Sequence, residues 1–418
     1  MSEWREVTLE EIASPDRYSV VGGPFGSSLG RKDYVEEGVP VIRGAQLGGP
    51  GLFSNDDFVY VSEEKADRHL GNLAFPGDVL VTQRGTVGQI GFIPLNAPFE
   101  RYLLSQSQMK LTVDPARAEA RFVYYWLRSP EAQHTMVGST ISAGVPHINL
   151  ETFKSLKLRL PPPEEQASIA NVLGAIDDLI ENNRRRVEVL EEMARAIYRE
   201  WFVHFRYPGH GDVPLVDSPV GPIPDGWSIG SLGDLSVNHD RRRRPLSKVQ
   251  RQERSGTIPY YGAAKLIDWV DGWIFDGEFL LFAEDGSVQT QDGFPVLQLV
   301  EGKFWANNHT HILEGGKVST RFLYLASAEQ PITGYVTGAA QPKITQANLN
   351  RIPLVVAAHA VQCAFDDVIN PIFDEWQLIQ KANAPLMGLR DLLLPKLVTG
   401  QIDVSHIDLG SLTEAAIA

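Results

Sequence analysis

The stretch PPPEEQASIANVLGAIDDLIENNRRRVEVLEEMARAIYREWFVHF, residues 161–205, decides how the chain is organised. Three prolines halt whatever precedes them, and Glu164 and Glu165 follow where a helix N-terminus favours negative charge. Apolar residues then recur at spacings of three and four: Ile169, Val172, Ile176, Leu179, Leu190, Met193 and Ile197, with Asn183 on the same stripe. This spacing predicts a coiled-coil seam. A continuous helix from Glu164 to Phe202 spans about 58 Å at about 1.5 Å per residue, too long and too narrowly striped for one globular core.

The design recurs near the C-terminus. Moving 196 positions along places Phe365, Val368, Ile372, Ile379, Leu386, Leu389 and Leu393 under the first stripe, and Gln166 lands on Gln362. Two stripes at one offset predict helices that pair, with equal-offset residues such as Ile176 and Ile372 facing each other. Pro371 and Pro385 lie inside the second stripe, and a bend is expected near Pro371. After Pro395 a short extended tail is expected. Cys363, the single cysteine, excludes an intrachain disulfide and is expected to be a small core residue.

With 43% hydrophobic and 22% charged residues over 418 positions, the composition is that of a soluble globular chain. No apolar run long enough to span a membrane occurs, and the first residues, MSEWREVTLEE, lack a signal core, so a cytoplasmic protein is expected with no membrane partner. The net charge of −14 argues weakly against nucleic acid, because phosphate binding needs only a local basic surface. Arg241, Arg242, Arg243 and Arg244 supply one, and Arg31, Lys32 and Arg43 a smaller one.

The segment before the first helix returns after it. VPVIRGAQL (39–47) matches IPYYGAAKL (258–266), GDVLVTQRGTVG (77–88) matches GEFLLFAEDGSV (277–288), and GVPHINLETFKSLKL (144–158) matches AQPKITQANLNRIPL (340–354). The chain is a tandem duplication of an α+β fold class: two similar mixed domains separated by two long coiled-coil helices. The expected divisions are 1–160, a first mixed domain; 161–206, the first helix; 207–356, a Pro/Gly-rich connector and second mixed domain; 357–402, the second helix; and 403–418, a tail.

Catalytic motifs are missing. GSSLGRK (26–32) lacks the spacing and hydroxyl of a phosphate loop, and Asn96-Ala97-Pro98-Phe99 breaks the run that a DNA adenine methyltransferase needs. His309 and His311 alternate as on a strand, with no neighbouring carboxylate in sequence to complete a metal site. Binding residues are better represented. Arg43, Gln46, Gln83, Arg84 and Gln106 lie in or beside turns, and Arg and Gln suit bidentate contact with guanine and adenine edges. In the second domain Tyr260, Tyr261, Lys265 and Lys343 join the arginine run, while Glu284 and Asp285 replace Gln83 and Arg84 and could accept from cytosine amino groups.

The chain resembles the specificity subunits of type I DNA restriction–modification enzymes. GGPFGSSLGRKDYVEEGVPVIRGAQL (22–47), GDVLVTQRGTVGQIG (77–91), LPPPEEQASIANVLGAIDDLIENN (160–183), SPVGPIPDGW (218–227) and LRDLLLPKLVTGQI (389–402) carry the resemblance over nearly the whole length. The resemblance implies two target recognition domains, each reading half of a split double-stranded DNA target, and two helices pairing antiparallel. It implies docking of two methyltransferase subunits and, through them, restriction subunits. This chain would be non-enzymatic and hold no cofactor; S-adenosylmethionine would sit on the methyltransferase, and ATP and Mg on the restriction subunit. The divergent loops predict two unlike half-sites, about one DNA turn apart. The alternatives are a self-contained methyltransferase or nuclease with a fused recognition module, and a coiled-coil scaffold without a DNA role.

Overall fold

Residues 4–49, 51–140, 145–338 and 341–404 are described by the computed structural model; most of the expected tail falls outside them. Two compact units divide the chain, one formed by Met1–Arg184 with Lys381–Ala418 and the other by Arg185–Gln380. Each long helix contributes to both.

In the first unit, strands Val39–Ile42, Val79–Thr82 and Gln108–Leu111 are buried at every position, which is why the first two read as short unbroken runs instead of alternating ones. Val20–Gly22, Gln108–Leu111, Val79–Thr82 and Ile90–Phe92 form one sheet in that order. A second sheet of five strands includes Val39–Ile42 lying parallel to Tyr102–Leu104. One polar residue of this core, Lys110, pairs with buried Asp78 at 2.8 Å. Arg5–Thr8 pairs antiparallel with Lys157–Leu160, closing the globular segment just before the long helix begins. The following turn is a capping box in which Thr8 accepts from the Glu11 amide.

The second unit repeats this plan with longer strands. Ser228–Ser231 pairs with Pro353–Val356 as the closing pair. Leu297–Ala306 runs antiparallel to Phe275–Ala283 along its first part and parallel to Ser255–Tyr261 at Trp305 and Ala306. One strand thus does the work of Ile90–Phe92 and Tyr102–Leu104 together.

The first long helix spans Pro163–Tyr198 and continues as a π-turn over Arg199–Val203; the second spans His359–Val398. Their pairing is antiparallel in each unit. In the first, Asp177 meets Arg390 at 3.0 Å and the Asn183 amide donates to Asn383 at 2.9 Å. In the second, Arg186 meets Glu375 at 2.6 Å and the Tyr198 ring lies against Phe365. Partner numbers fall on one helix as they rise on the other, so the expectation that equal-offset residues such as Ile176 and Ile372 face each other is wrong. The 196-residue offset records the duplication, not the contact register.

The buried stripe also differs by a step from the apolar one. Ile169, Val172, Asn183, Phe365 and Ile379 are buried; Ile176, Leu179, Leu190, Ile197, Ile372, Leu386 and Leu393 are half-buried. Met193, Val368 and Leu389 are exposed and drop out of the seam, their places taken by Ala194, Ile369 and Arg390. A small and a charged residue hold positions where only apolar ones were counted. Cys363 is exposed, not a core residue. The second helix runs unbroken through Pro371 and Pro385, both on its exposed side, and includes Pro395, where an extended tail was expected. Leu397 and Val398 are buried in the core of the first unit.

Asp177 and Arg390 are almost wholly buried, and the Tyr125 hydroxyl donates to Asp177 at 2.8 Å. Burial, followed by the Asp177 carboxylate, raises the Tyr125 hydroxyl pKa far above its ordinary value. Arg390→Ala leaves that carboxylate without its countercharge and should cost about 3–5 kcal/mol, whereas replacing both partners by leucine should cost much less. Urea unfolding followed by tryptophan fluorescence measures both; equal losses would contradict the assignment.

Candidate nucleic-acid interface

The two units repeat one loop scaffold bond for bond. The Gly85 amide donates to the Pro146 carbonyl at 3.1 Å and Ile148 to Gln83 at 3.0 Å; Gly286 donates to Pro342 at 3.0 Å and Ile344 to Glu284 at 2.9 Å. Isolated bridges join Arg84 to His147 and Asp285 to Lys343. Gly85 and Gly286 sit at φ +88 and +77, a conformation that glycine adopts without strain. The scaffold is therefore common to both, while the side chains mounted on it differ.

In the first unit several expected base readers are used internally. Gln46 is buried; its carbonyl oxygen accepts from the Arg43 amide at 2.9 Å and its amide donates to Asp56 at 2.7 Å. It staples a loop from the inside. Arg43 donates to the Asp57 carbonyl. Gln83 donates to the Gln106 carbonyl at 2.9 Å, and Gln106 donates to the Gly26 carbonyl. Arg31, Lys32 and Arg84 are exposed.

The second unit contains a charged network that the sequence did not disclose. Arg243 reaches Glu284 at 2.6 Å and Asp240 at 3.4 Å, and donates to the Thr310 carbonyl at 2.7 Å. Lys343 meets Glu284 at 3.1 Å, and His309 meets Asp285 at 2.7 Å. His311, buried, faces Asp240 at 2.5 Å with Nδ1 and the Ile344 carbonyl at 3.0 Å with Nε2. Carboxylates absent from the histidines' sequence neighbourhood thus arrive from elsewhere. Asp240, Glu284 and His311 bring ligand atoms within 4.8 Å of one another. Arg243 and Lys343 already neutralise the carboxylates, so the trio is read as an ion-pair core.

Glu284 is paired with Arg243 and Lys343, and Asp285 with the exposed His309 ring, so neither carboxylate stands free, a correction to the sequence-based expectation. Tyr260 is another: fully buried, its hydroxyl accepts from the Leu246 amide at 3.0 Å while Arg251 covers its ring. Tyr261 is half-buried edge-on to Phe304, and burial raises its hydroxyl pKa. Arg242 donates to the Ile274 carbonyl at 2.7 Å and covers Phe275. Arg241, Arg244 and Lys265 remain exposed. Sequence reasoning missed Phe25, 91% exposed, and Trp269 and Trp273, about half exposed, with Lys303 over the Trp273 ring at 4.0 Å. Trp269 and Trp273 stand among acidic residues in LIDWVDGWIFDGE (266–278), and Lys303 reaches Trp273 only through the fold, so the sequence held no local signal for them.

The sequence matches the family described as the type I restriction modification DNA specificity domain over residues 1–192 and 224–362. The chain belongs to this family. Similar members include the MjaIX specificity subunit of Methanocaldococcus jannaschii, 23% identical over 97% of this chain and 95% of that one. The HindI specificity subunit of Haemophilus influenzae is 21% identical over 78% of this chain and 86% of its own length. Among solved structures, a type I restriction–modification S subunit from M. genitalium shares the fold, with a TM-score of 0.56 at 16% identity over 95% of this chain and 96% of that one. Family membership thus rests on both halves of the duplication.

Burial raises the pKa of Asp240, but bonds and charge from His311, the Ile312 amide and Arg243 outweigh it and hold the carboxyl below its ordinary value. Glu284 is lowered likewise, burial being outweighed by Arg243, His311 and Lys343. Folded pKa values below the unfolded ones mean stability present above the ordinary carboxylate range and lost as pH falls through about 4 and below. Asp240→Asn should lose about 2 kcal/mol at neutral pH and show a flatter acid limb. Thermal melts between pH 3 and 7 (roughly the range in which carboxylates titrate) test this; an unchanged acid limb would contradict it.

Proposed function

We propose that this chain is the DNA-reading, non-catalytic subunit of a type I restriction–modification enzyme. Each recognition domain reads one half of an asymmetric, bipartite duplex target. The long helices set the spacing between the halves and dock two methyltransferase subunits, through which restriction subunits are recruited. S-adenosylmethionine chemistry belongs to the methyltransferase, and ATP and Mg chemistry to the restriction subunit; this chain contributes position.

The observation that carries the reading is the duplicated loop scaffold bearing unlike side chains. Gln83, Arg84 and His147 occupy the positions that Glu284, Asp285 and Lys343 occupy in the second unit. One backbone thus carries an exposed Arg84 in the first unit and, at the matching place in the second, Asp285 paired with His309, so the surfaces built around the shared scaffold differ as two unlike half-sites require. Among the described residues no helix is long and apolar enough to cross a membrane, and a cytoplasmic location suits the role.

Co-expression with a type I methyltransferase subunit, followed by methylation mapping, should return one non-palindromic split motif. Inserting a helical turn at matched places in both long helices should lengthen the spacer and leave the half-sites unchanged. Affinity of the full chain for duplex DNA should fall steeply with salt. A palindromic motif, or methyl transfer by the purified chain alone, would overturn the proposal.

A further inference from the structure

We propose that Phe25 is an aromatic wedge that enters or stacks on a base step of the DNA, and that Gln83 and Gln106 are the residues that position it. This rests on the reading of the chain as a DNA-binding subunit and names a contact within it.

The ring is 91% exposed, and a phenylalanine so placed loses hydrophobic stabilisation unless something covers it. The loop holding it is braced on both sides. Asn72 donates to the Gly22 carbonyl at 2.7 Å, and the Gly23 amide donates to the Gln108 carbonyl at 2.8 Å. A Cβ on Gly23 would lie 1.8 Å from the Ser105 carbonyl oxygen, so only glycine permits the close approach. Beyond the ring, Gly26 turns the chain at φ +62, and Leu29 returns it to the core. Asp33 accepts from the Gly30 amide at 2.9 Å and from Lys65 at 3.0 Å.

The two glutamines complete the brace. Gln106 holds the Gly26 carbonyl, the residue after the ring, and Gln83 holds the Gln106 and Gln108 carbonyls at 2.9 and 3.3 Å. Side chains shaped for adenine are thus spent on a loop whose tip presents an apolar ring. An exposed aromatic braced in advance costs little ordering on binding, because the ordering has already been done.

Charge selects the occupant. Arg31 and Lys32 follow in the same loop and Arg84 follows Gln83; all three are exposed. An exposed apolar ring in a loop that also carries the exposed Arg31 and Lys32 matches a base step bordered by phosphates. Apolar side chains inserted between steps unstack and kink a duplex, and stacking on an aromatic ring tolerates any base. The ring therefore serves deformation and register, leaving sequence readout to other side chains.

The test uses the full-length chain and a pool of duplexes with a randomised window, from which bound sequences are recovered and scanned with 2-aminopurine. The wild-type chain should unstack one position, raising its fluorescence. Phe25→Ala should abolish that signal and weaken binding about tenfold, with the salt slope unchanged because no charge is lost. Phe25→Trp should retain the signal, and Gln106→Ala should lower it at the same salt slope. Circular dichroism confirms that each variant folds. Wild-type affinity and fluorescence in Phe25→Ala would overturn the wedge alone. Loss of methyltransferase capture with DNA behaviour intact would reassign the ring to a protein interface. A wild-type chain without salt-dependent DNA binding would overturn both this proposal and the function beneath it.

Discussion

A buried ion pair fixes how the first unit is assembled. Asp177 on one long helix and Arg390 on the other lie 3.0 Å apart with almost no solvent contact, and Tyr125 from the globular segment completes the carboxylate's bonding. Apolar seams tolerate sliding, because one leucine resembles the next. A buried charge does not, because any other register leaves it without a partner in a low-dielectric interior. The Asn183–Asn383 bond, two turns further along, repeats the constraint in neutral form. Register, direction and the attachment of the globular segment are thereby specified together.

This also explains what was and was not legible in the sequence. The two long helices announced themselves by period, and the duplication by repeated turn residues such as Gly85 and Gly286, whose backbone bonds recur one for one. Backbone requirements leave strong traces because few residue types meet them. The seam was misread by a step because its buried positions include Arg390, Asp177 and Ala194, which an apolar count passes over. The facing residues were concealed for another reason: a constant offset between repeats looks like pairing, whereas the antiparallel contact that the resemblance implied follows a constant sum.

The interface was harder still. Arg243 is drawn out of the exposed basic run by Glu284 and the Thr310 carbonyl far along the chain, with Asp240 the only partner close in sequence among the described residues. Gln46 and Tyr260 look like readers because they are polar or amphipathic near turns, yet both close loops from the inside. The positions left outward include some of the most ordinary in composition: Arg31, Lys32, Arg84, Arg241, Arg244 and Lys265. Loop geometry, set by distant acceptors, decides which cations are spent at home.

The discontinuity of the first unit has a consequence for biosynthesis. Residues 185–380 make a unit from one unbroken segment, whereas the other unit needs its second piece, beginning at Lys381, to cover Leu158 and Ile169 with Leu397 and Val398. At about 5–20 residues per second, the ribosome takes roughly 10–40 s to make the intervening segment. The internal unit is therefore free to mature first, and the N-terminal portion waits with apolar surface uncovered until the last helix emerges.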